Sequence, residues 1–208
     1  MSPYIAYAVT MLTIINPVGT VAIFAGMAGD RPVPEQKEIA RSSAFATSVV
    51  MILVTWSGAA ILAFFGVTPP GLQAAGGVIL ILMGLAMLSS TPTRLRHTPA
   101  EDQEAHDRES IAVVPLAIPI TIGPGAITTI ILFSQELPGV VDRLVMSGMA
   151  VLFGLLMWLV LHFSGPIANR LGVTGVRIVT RIMGLLLVAL AFQMLADGLR
   201  ELLPGLAG

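Results

Sequence analysis

The chain has 208 residues, of which 55% are hydrophobic and only 11% are charged, and its mean hydropathy is +0.89. This composition lies outside the usual range of soluble domains and indicates that lipid covers most of the surface. The 11 Lys and Arg residues nearly balance the 12 Asp and Glu residues, which argues against a nucleic-acid partner. The lack of cysteine excludes disulfides and thiolate chemistry.

Six apolar stretches follow one another along the chain, each about as long as the roughly 20 residues that a helix needs to cross the hydrocarbon core. They cover residues 3–28, 40–65, 71–89, 111–134, 144–164 and 178–195. They do not alternate in polarity as barrel strands do, so helices must satisfy the backbone in lipid. The sequence predicts an all-α integral membrane protein with six transmembrane helices. The first stretch lacks the pattern of a removable signal peptide and is expected to be the first span.

The positive residues are distributed unevenly between the two sides of the predicted bundle. Nine lie in the first, third and fifth loops, whereas the opposite side holds only Arg143 and Arg200. Because cytoplasmic loops keep the excess of Lys and Arg, the polar segment 91–110 is expected in the cytoplasm. We therefore predict a multi-pass protein of a bacterial inner membrane with both termini in the periplasm.

A shift of 107 residues relates the two halves of the chain. Prolines, glycines and hydrophobic residues coincide under this shift: Pro17 with Pro124, Gly77 with Gly184, and Met87 with Met194. Repeats with an odd number of helices enter the membrane from opposite faces, as in many secondary transporters. The predicted organisation is a three-helix repeat at 1–90, a cytoplasmic linker at 91–110 and a second, inverted three-helix repeat at 111–208.

The matched prolines interrupt the first and fourth predicted helices. Proline removes a backbone donor and clashes one turn back, and the residue before it avoids the helical conformation. Asn16 is a favoured N-cap with Pro17 at the first helical position, and Gly123 and Pro124 repeat this arrangement with a weaker cap. We expect helices 1 and 4 to be discontinuous near mid-membrane. Their two internal N-termini would then be anion sites that face each other.

The predicted site is therefore built from backbone groups and small side chains. The middle of each span lacks Asp, Glu, Lys and Arg, so an intramembrane carboxylate relay is not expected. Opposed helix N-termini would hold a carboxylate, while freed carbonyls and threonine or asparagine oxygens would accept an ammonium group. This combination suits a small zwitterionic amino acid. The predicted substrate-binding residues are Asn16, Pro17, Gly19, Thr20, Gly123, Pro124, Gly125, Ala126 and Thr128.

The same residues carry a resemblance to a known family. The run INPVG at 15–19, with AIP at 117–119 and GPGAITT at 123–129, resembles the two signature segments of the MarC family of prokaryotic neutral amino acid transporters, which includes SnatA. That family is related more distantly to exporters of the LysE type. The resemblance covers the whole chain. It implies transport of neutral amino acids such as glycine and alanine, with proton coupling in some members.

Two other functions stay open at this point. Aquaporin-like channels also have six spans, inverted halves and Asn-Pro ends at the midplane, but here Gly123 occupies the place of the second asparagine. A non-transporting membrane scaffold would leave the paired breaks without a role. Motifs of intramembrane proteases, metal sites and cofactor sites do not appear in the sequence, so an enzyme is not expected.

Overall fold

The computed structural model describes residues 2–28, 31–89, 122–203 and 205. Regular structure in these residues consists of helices alone. They are α1 (Pro3–Ile15), α2 (Pro17–Ala28), α3 (Val33–Phe65), α4 (Pro69–Ser89), α5 (Pro124–Glu136), α6 (Val140–His162) and α7 (Ser164–Leu202). The predicted linker at 91–110 lies outside the described residues, and so does the first part of the fourth predicted span, 111–121.

Several segments of the described chain are long and apolar enough to cross a membrane. They are Pro3–Val21, Val33–Phe65, Pro69–Ser89, Val140–His162 and Thr174–Leu202. Each coincides with one of the predicted apolar stretches, so the prediction of an all-α protein that crosses the membrane several times is confirmed. α5 has only 13 residues, about 20 Å of helix, which is too short to span the hydrocarbon core by itself.

The predicted loop before the last span is wrong, because most of it is helical. α7 begins at Ser164, and its regular conformation is interrupted at Gly172, which has φ 60° and ψ 175°. Arg170, Arg177 and Arg181 therefore lie on α7 rather than in a loop. Mean hydropathy detects the part of a helix that lies in lipid, whereas the helix continues through polar residues beyond it. α3 likewise begins at Val33, seven residues before the apolar stretch that predicted it.

α4 and α7 pack closely along a line of glycines. At three glycines an added Cβ atom would lie 3.3 Å or less from backbone atoms of the facing helix. At Gly77 these atoms belong to Leu195 and Ala191. At Gly84 they belong to Gly184 and Val188, and at Gly184 to Gly84 and Leu88. Small residues at such positions let two helix backbones approach in the membrane. Gly154 has the same role between α6 and α3, because a Cβ atom added there would lie 2.9 Å from the carbonyl oxygen of Ala44.

The buried core lies between the two helix pairs α4–α7 and α3–α6. α2 packs against α7 and α6, and α5 packs against α4 and α3. Large buried side chains fill the space among these helices: Tyr7, Met11, Phe24, Met51, Leu80, Ile130, Met146 and Met157. Large apolar side chains such as Phe64, which is 83% exposed, cover the outside, as expected for a surface in contact with lipid.

Candidate functional site

The backbone leaves the helical conformation at Asn16. α1 ends at Ile15, Asn16 has φ 45° and ψ 71°, and α2 begins at Pro17. Its side chain is buried, with 2% of its surface exposed, and its Oδ1 atom accepts a hydrogen bond from the N–H of Gly19 at 3.2 Å. Asn16 thus caps the start of α2 inside the protein, as the sequence suggested. Pro17 is half-buried beside it.

Gly19 and Thr20 complete this helix start. A Cβ atom at Gly19 would clash with Nδ2 of Asn16, so a glycine is needed for the asparagine side chain to fold back over α2. The hydroxyl of Thr20 donates to the carbonyl oxygens of Ile15 and Asn16, each at 3.1 Å. The carbonyls of Ile15, the last residue of α1, and of Asn16 are therefore satisfied by a side chain of the next helix, which offsets part of the penalty for ending a helix inside the protein.

The start of α5 differs from the start of α2 in its capping. Gly123 has an extended backbone, φ −75° and ψ 176°, and provides no side-chain cap to α5. Pro124 occupies the first helical position and its side chain is exposed, while Gly125 and Ala126 are buried. Pro124 has no N–H, and the N–H groups of Ala126 and Ile127 donate to the Gly123 carbonyl, so the N–H of Gly125 is the group in this turn that a side-chain cap at position 123 would have bound.

Leu80 of α4 lies directly against this helix start. A Cβ atom at Gly125 would clash with Cδ2 of Leu80, whose side chain is fully buried, and one at Gly123 would lie 3.8 Å from Met83 Cε. In the described conformation, the glycine at 125 makes room for a leucine of the neighbouring helix. The sequence predicts Gly125 as a substrate-binding residue, and the packing contact gives this glycine a structural role as well.

The threonines around the two helix starts have different partners. Thr13 and Thr129 donate to the carbonyls four residues earlier, those of Val9 and Gly125, which is the usual bond of a threonine in a membrane helix. Thr128 is 5% exposed and its methyl group packs against Gly76, so a Cβ atom at Gly76 would clash with it. Thr128 thus joins α5 to α4 in the described conformation.

A cavity that the sequence did not predict lies next to α5. Its volume is about 180 Å³. Half of its twelve lining residues are polar, namely Thr10, Gln73, Thr129, Glu136, Gln193 and Asp197. The other half are apolar, namely Leu80, Leu132, Phe133, Leu187, Leu190 and Met194. Leu80 belongs both to this lining and to the contact with Gly125 at the start of α5. Residues of four helices form the cavity, and only packing brings them together.

The polar mouth of the cavity is acidic. Glu136 and Asp197 are exposed, while Leu80 and Leu187 are fully buried at the inner part of the lining. Glu136 lies two residues beyond the fourth apolar stretch, and desolvation by its neighbours raises the pKa of its carboxyl group. The lining contains two carboxyl groups and lacks Lys and Arg, so it favours a positively charged or zwitterionic ligand over an anion. Among the described residues, no three His, Asp or Glu side chains are grouped to hold a metal ion.

Comparison with known families identifies the chain. A family model described as MarC family integral membrane protein matches residues 1–203. The chain belongs to the MarC family. The resemblance noted in the signature segments is thereby confirmed, and the chain is an integral membrane protein. Kinship with SnatA and with exporters of the LysE type stays a prediction.

Relatives of this MarC family member occur in bacteria and archaea. A UPF0056 membrane protein of Buchnera aphidicola is 31% identical over 99% of this chain and 96% of its own length. One of Pyrococcus horikoshii is 35% identical over 91% of this chain and 90% of its own. The UPF0056 inner membrane protein MarC of Citrobacter koseri is 30% identical over 94% of this chain and 93% of its own. No solved structure matches the chain.

Proposed function

We propose that this MarC family member is a carrier of small neutral amino acids, with the substrate bound between the starts of α2 and α5. The observation that carries the proposal is the left-handed Asn16, which is 2% exposed and starts a new helix inside a membrane-spanning segment. Paired interrupted helices at corresponding repeat positions are the best sequence sign of a transporter site, and the Gly123-Pro124 start lies 107 residues further on.

Packing between α4 and α7 supports the inverted repeat on which this site depends. Under the 107-residue shift, Gly77 corresponds to Gly184 and Gly84 to Ala191. A Cβ atom at Gly77 would lie 2.9 Å from the Ala191 oxygen, and one at Gly84 would lie 3.0 Å from the Gly184 oxygen. Gly77 thus contacts Ala191, which is the counterpart of Gly84, and Gly84 contacts Gly184, which is the counterpart of Gly77. This reciprocal pattern is expected of two-fold symmetry.

The contacts of the shorter helices have the same symmetry. α5 packs against α4 and α3, and its counterpart α2 packs against α7 and α6, the counterparts of α4 and α3. A two-fold axis between α4 and α7 relates these pairs if the repeats are inverted. We therefore keep six transmembrane helices in two inverted repeats as the architecture, with the fourth span completed by residues before 122.

The two helix starts would bind different ends of the substrate. The carboxylate would bind the first turn of α5, where Gly123 provides no side-chain cap and the helix dipole favours negative charge. The ammonium group would approach Asn16, because its Oδ1 atom accepts one hydrogen bond, from Gly19, and an amide oxygen has a second lone pair.

Leu80 must move before a carboxylate reaches Gly125. Its Cδ2 atom occupies the space in front of Gly125, and its side chain is fully buried and lines the cavity. A carrier alternates between conformations in which the site opens to one side or the other, and movement of one repeat against the other would withdraw Leu80. The described conformation is then one in which the central site is closed.

Flux measurements in liposomes test the function. The reconstituted protein should take up labelled glycine or alanine with saturation and trans-stimulation, and it should take up little glutamate or lysine. An imposed pH gradient that accelerates glycine uptake would support the proton coupling that the family implies. Non-saturating water or glycerol flux would contradict the proposal in favour of a channel, and an absence of flux for every solute would favour a scaffold.

A further inference from the structure

The hydroxyl of Tyr7 is a buried polar group without a described partner. The side chain is fully buried on α1, and its oxygen has no hydrogen-bond partner among the described residues. Buried hydroxyls nearly always have a partner, because leaving one unsatisfied destabilises the protein. The other tyrosine of the chain, Tyr4, is satisfied, because its hydroxyl donates to Asp142 Oδ1 at 2.5 Å.

Tyr7 lies directly behind the wall of the cavity. Its ring meets the ring of Phe133 edge to face, with centroids 5.3 Å apart and an angle of 64° between the planes. Phe133 lines the cavity, and so does Thr10, which is one helical turn after Tyr7 on α1. Tyr7 therefore packs against one residue of the cavity wall, the half-buried Phe133, and lies one helical turn from another, Thr10.

We propose that the cavity is an outer binding site for a small amino acid and that the Tyr7 hydroxyl is its inner hydrogen-bond donor, uncovered when Phe133 rotates. Glu136 and Asp197 at the mouth would attract the ammonium group, and the phenol would donate to the carboxylate. This inference rests on the proposed carrier function, since the ligand is the transported solute on its way to the central site.

Size and distance distinguish this outer site from the central one. A cavity of about 150 Å³ holds a benzene ring, so 180 Å³ is sufficient for glycine or alanine. Glu136 and Gly125 are separated by 11 residues of one helix, about 16 Å along its axis, and glycine is far shorter than that. Leu80 lines the cavity and fills the space in front of Gly125, so it would have to move before a ligand passed from the outer site to the central one.

Two tyrosine variants test the outer site, with one serving as control for the other. Tyr7→Phe removes only the unsatisfied oxygen, so the melting temperature should stay the same or rise. Its KM for glycine uptake, and its Kd for labelled glycine in detergent, should rise about tenfold, because a hydrogen bond to a charged group is lost. Tyr4→Phe breaks the bond to Asp142, so it should lower the melting temperature and leave both constants unchanged.

A substitution at the exposed Glu136, measured with three ligands, tests the carboxylate at the mouth of the cavity. Glu136→Gln should weaken binding of glycine and methylamine, which carry an ammonium group, and should not weaken binding of glycolate.

If wild-type protein takes up glycine and Tyr7→Phe matches it in KM and Kd, the outer site is wrong and the carrier function stands. If wild type binds glycine, loses that binding in Tyr7→Phe and shows no uptake, the outer site stands and the carrier function is wrong. Failure of wild type to bind glycine at all contradicts both.

Discussion

Asn16 and Gly19 are joined by a hydrogen bond of 3.2 Å that connects the end of α1 to the start of α2. The backbone N–H of Gly19 donates to Oδ1 of Asn16, and Asn16 itself adopts φ 45°, a conformation that asparagine tolerates better than most residues. Asn16 therefore has two structural roles, one in the backbone and one in the side chain. Substitutions at this position separate them.

Asn16→Ala should destabilise the protein more than Asn16→Gly. Alanine loses the cap and is strained at φ 45°, so the free energy of unfolding should fall by about 2 kcal/mol. Glycine loses the cap and tolerates the backbone, so the loss should be a few tenths of a kcal/mol. Unfolding in detergent by a chemical denaturant measures both. Equal losses in the two variants would show that the left-handed conformation contributes nothing to stability.

Gly125 and Leu80 should show strong coupling in a double-mutant cycle. Gly125→Ala forces a Cβ atom onto Leu80 Cδ2 and should destabilise the protein, and Leu80→Ala alone should cost about 2–5 kcal/mol through the cavity that it leaves. In the double variant the new methyl group fills part of that space, so the combined loss should be smaller than the sum by about 1 kcal/mol or more. Additive losses would mean that the two side chains do not share this space.

Much of the fold is readable from the sequence, because its signals are local. Apolar runs of sufficient length identify the spans, and Asn16-Pro17 identifies the end of one helix and the start of the next, since proline and its predecessor restrict their own backbone. The helical residues of 164–177 were missed because they are polar, and polarity there reports the membrane boundary rather than the end of a helix.

The outer cavity and the contact of Leu80 with Gly125 could not be read from the sequence. Both depend on which residues of α4, α5 and α7 meet, and that depends on the register and rotation of packed helices. Tyr7 looks like an ordinary apolar-face residue of α1 until its hydroxyl is found without a partner. The 107-residue shift was the one long-range signal in the sequence. It pairs Gly77 with Gly184 and Gly84 with Ala191, and these four residues lie in the contact between α4 and α7.

Reporter fusions test the orientation of the chain in the membrane. The distribution of Lys and Arg predicts that a fusion at Arg96, within the polar segment 91–110, is cytoplasmic and that a fusion at the C-terminus is periplasmic. Alkaline phosphatase should be active only at the C-terminus, and a fluorescent protein that folds only in the cytoplasm should be active only at Arg96. Phosphatase activity at Arg96 would show that the orientation is opposite to the predicted one, so that the cytoplasmic and periplasmic sides of the central site are exchanged.

The glycines of α4 and α7 test the two-fold relationship between the repeats. Gly77→Ala and Gly184→Ala each introduce a Cβ atom close to the backbone of the facing helix, 2.7 Å from Leu195 N in the first case and 3.0 Å from Gly84 O in the second. Because backbone atoms cannot move aside as a flexible side chain can, both variants should lose stability, and by similar amounts if the contacts are symmetric.

Gly148→Ala is the matched control for this comparison. Gly148 lies in α6 with no heavy atom within 4 Å of an added Cβ, so alanine should be neutral there or should stabilise the helix by about 0.5–1 kcal/mol. Melting temperatures of the three variants in one detergent give the result. A loss at Gly77 with none at Gly184 would contradict the symmetric packing and would weaken the inverted repeat, because the helices that lie closest to the proposed axis would then not be equivalent.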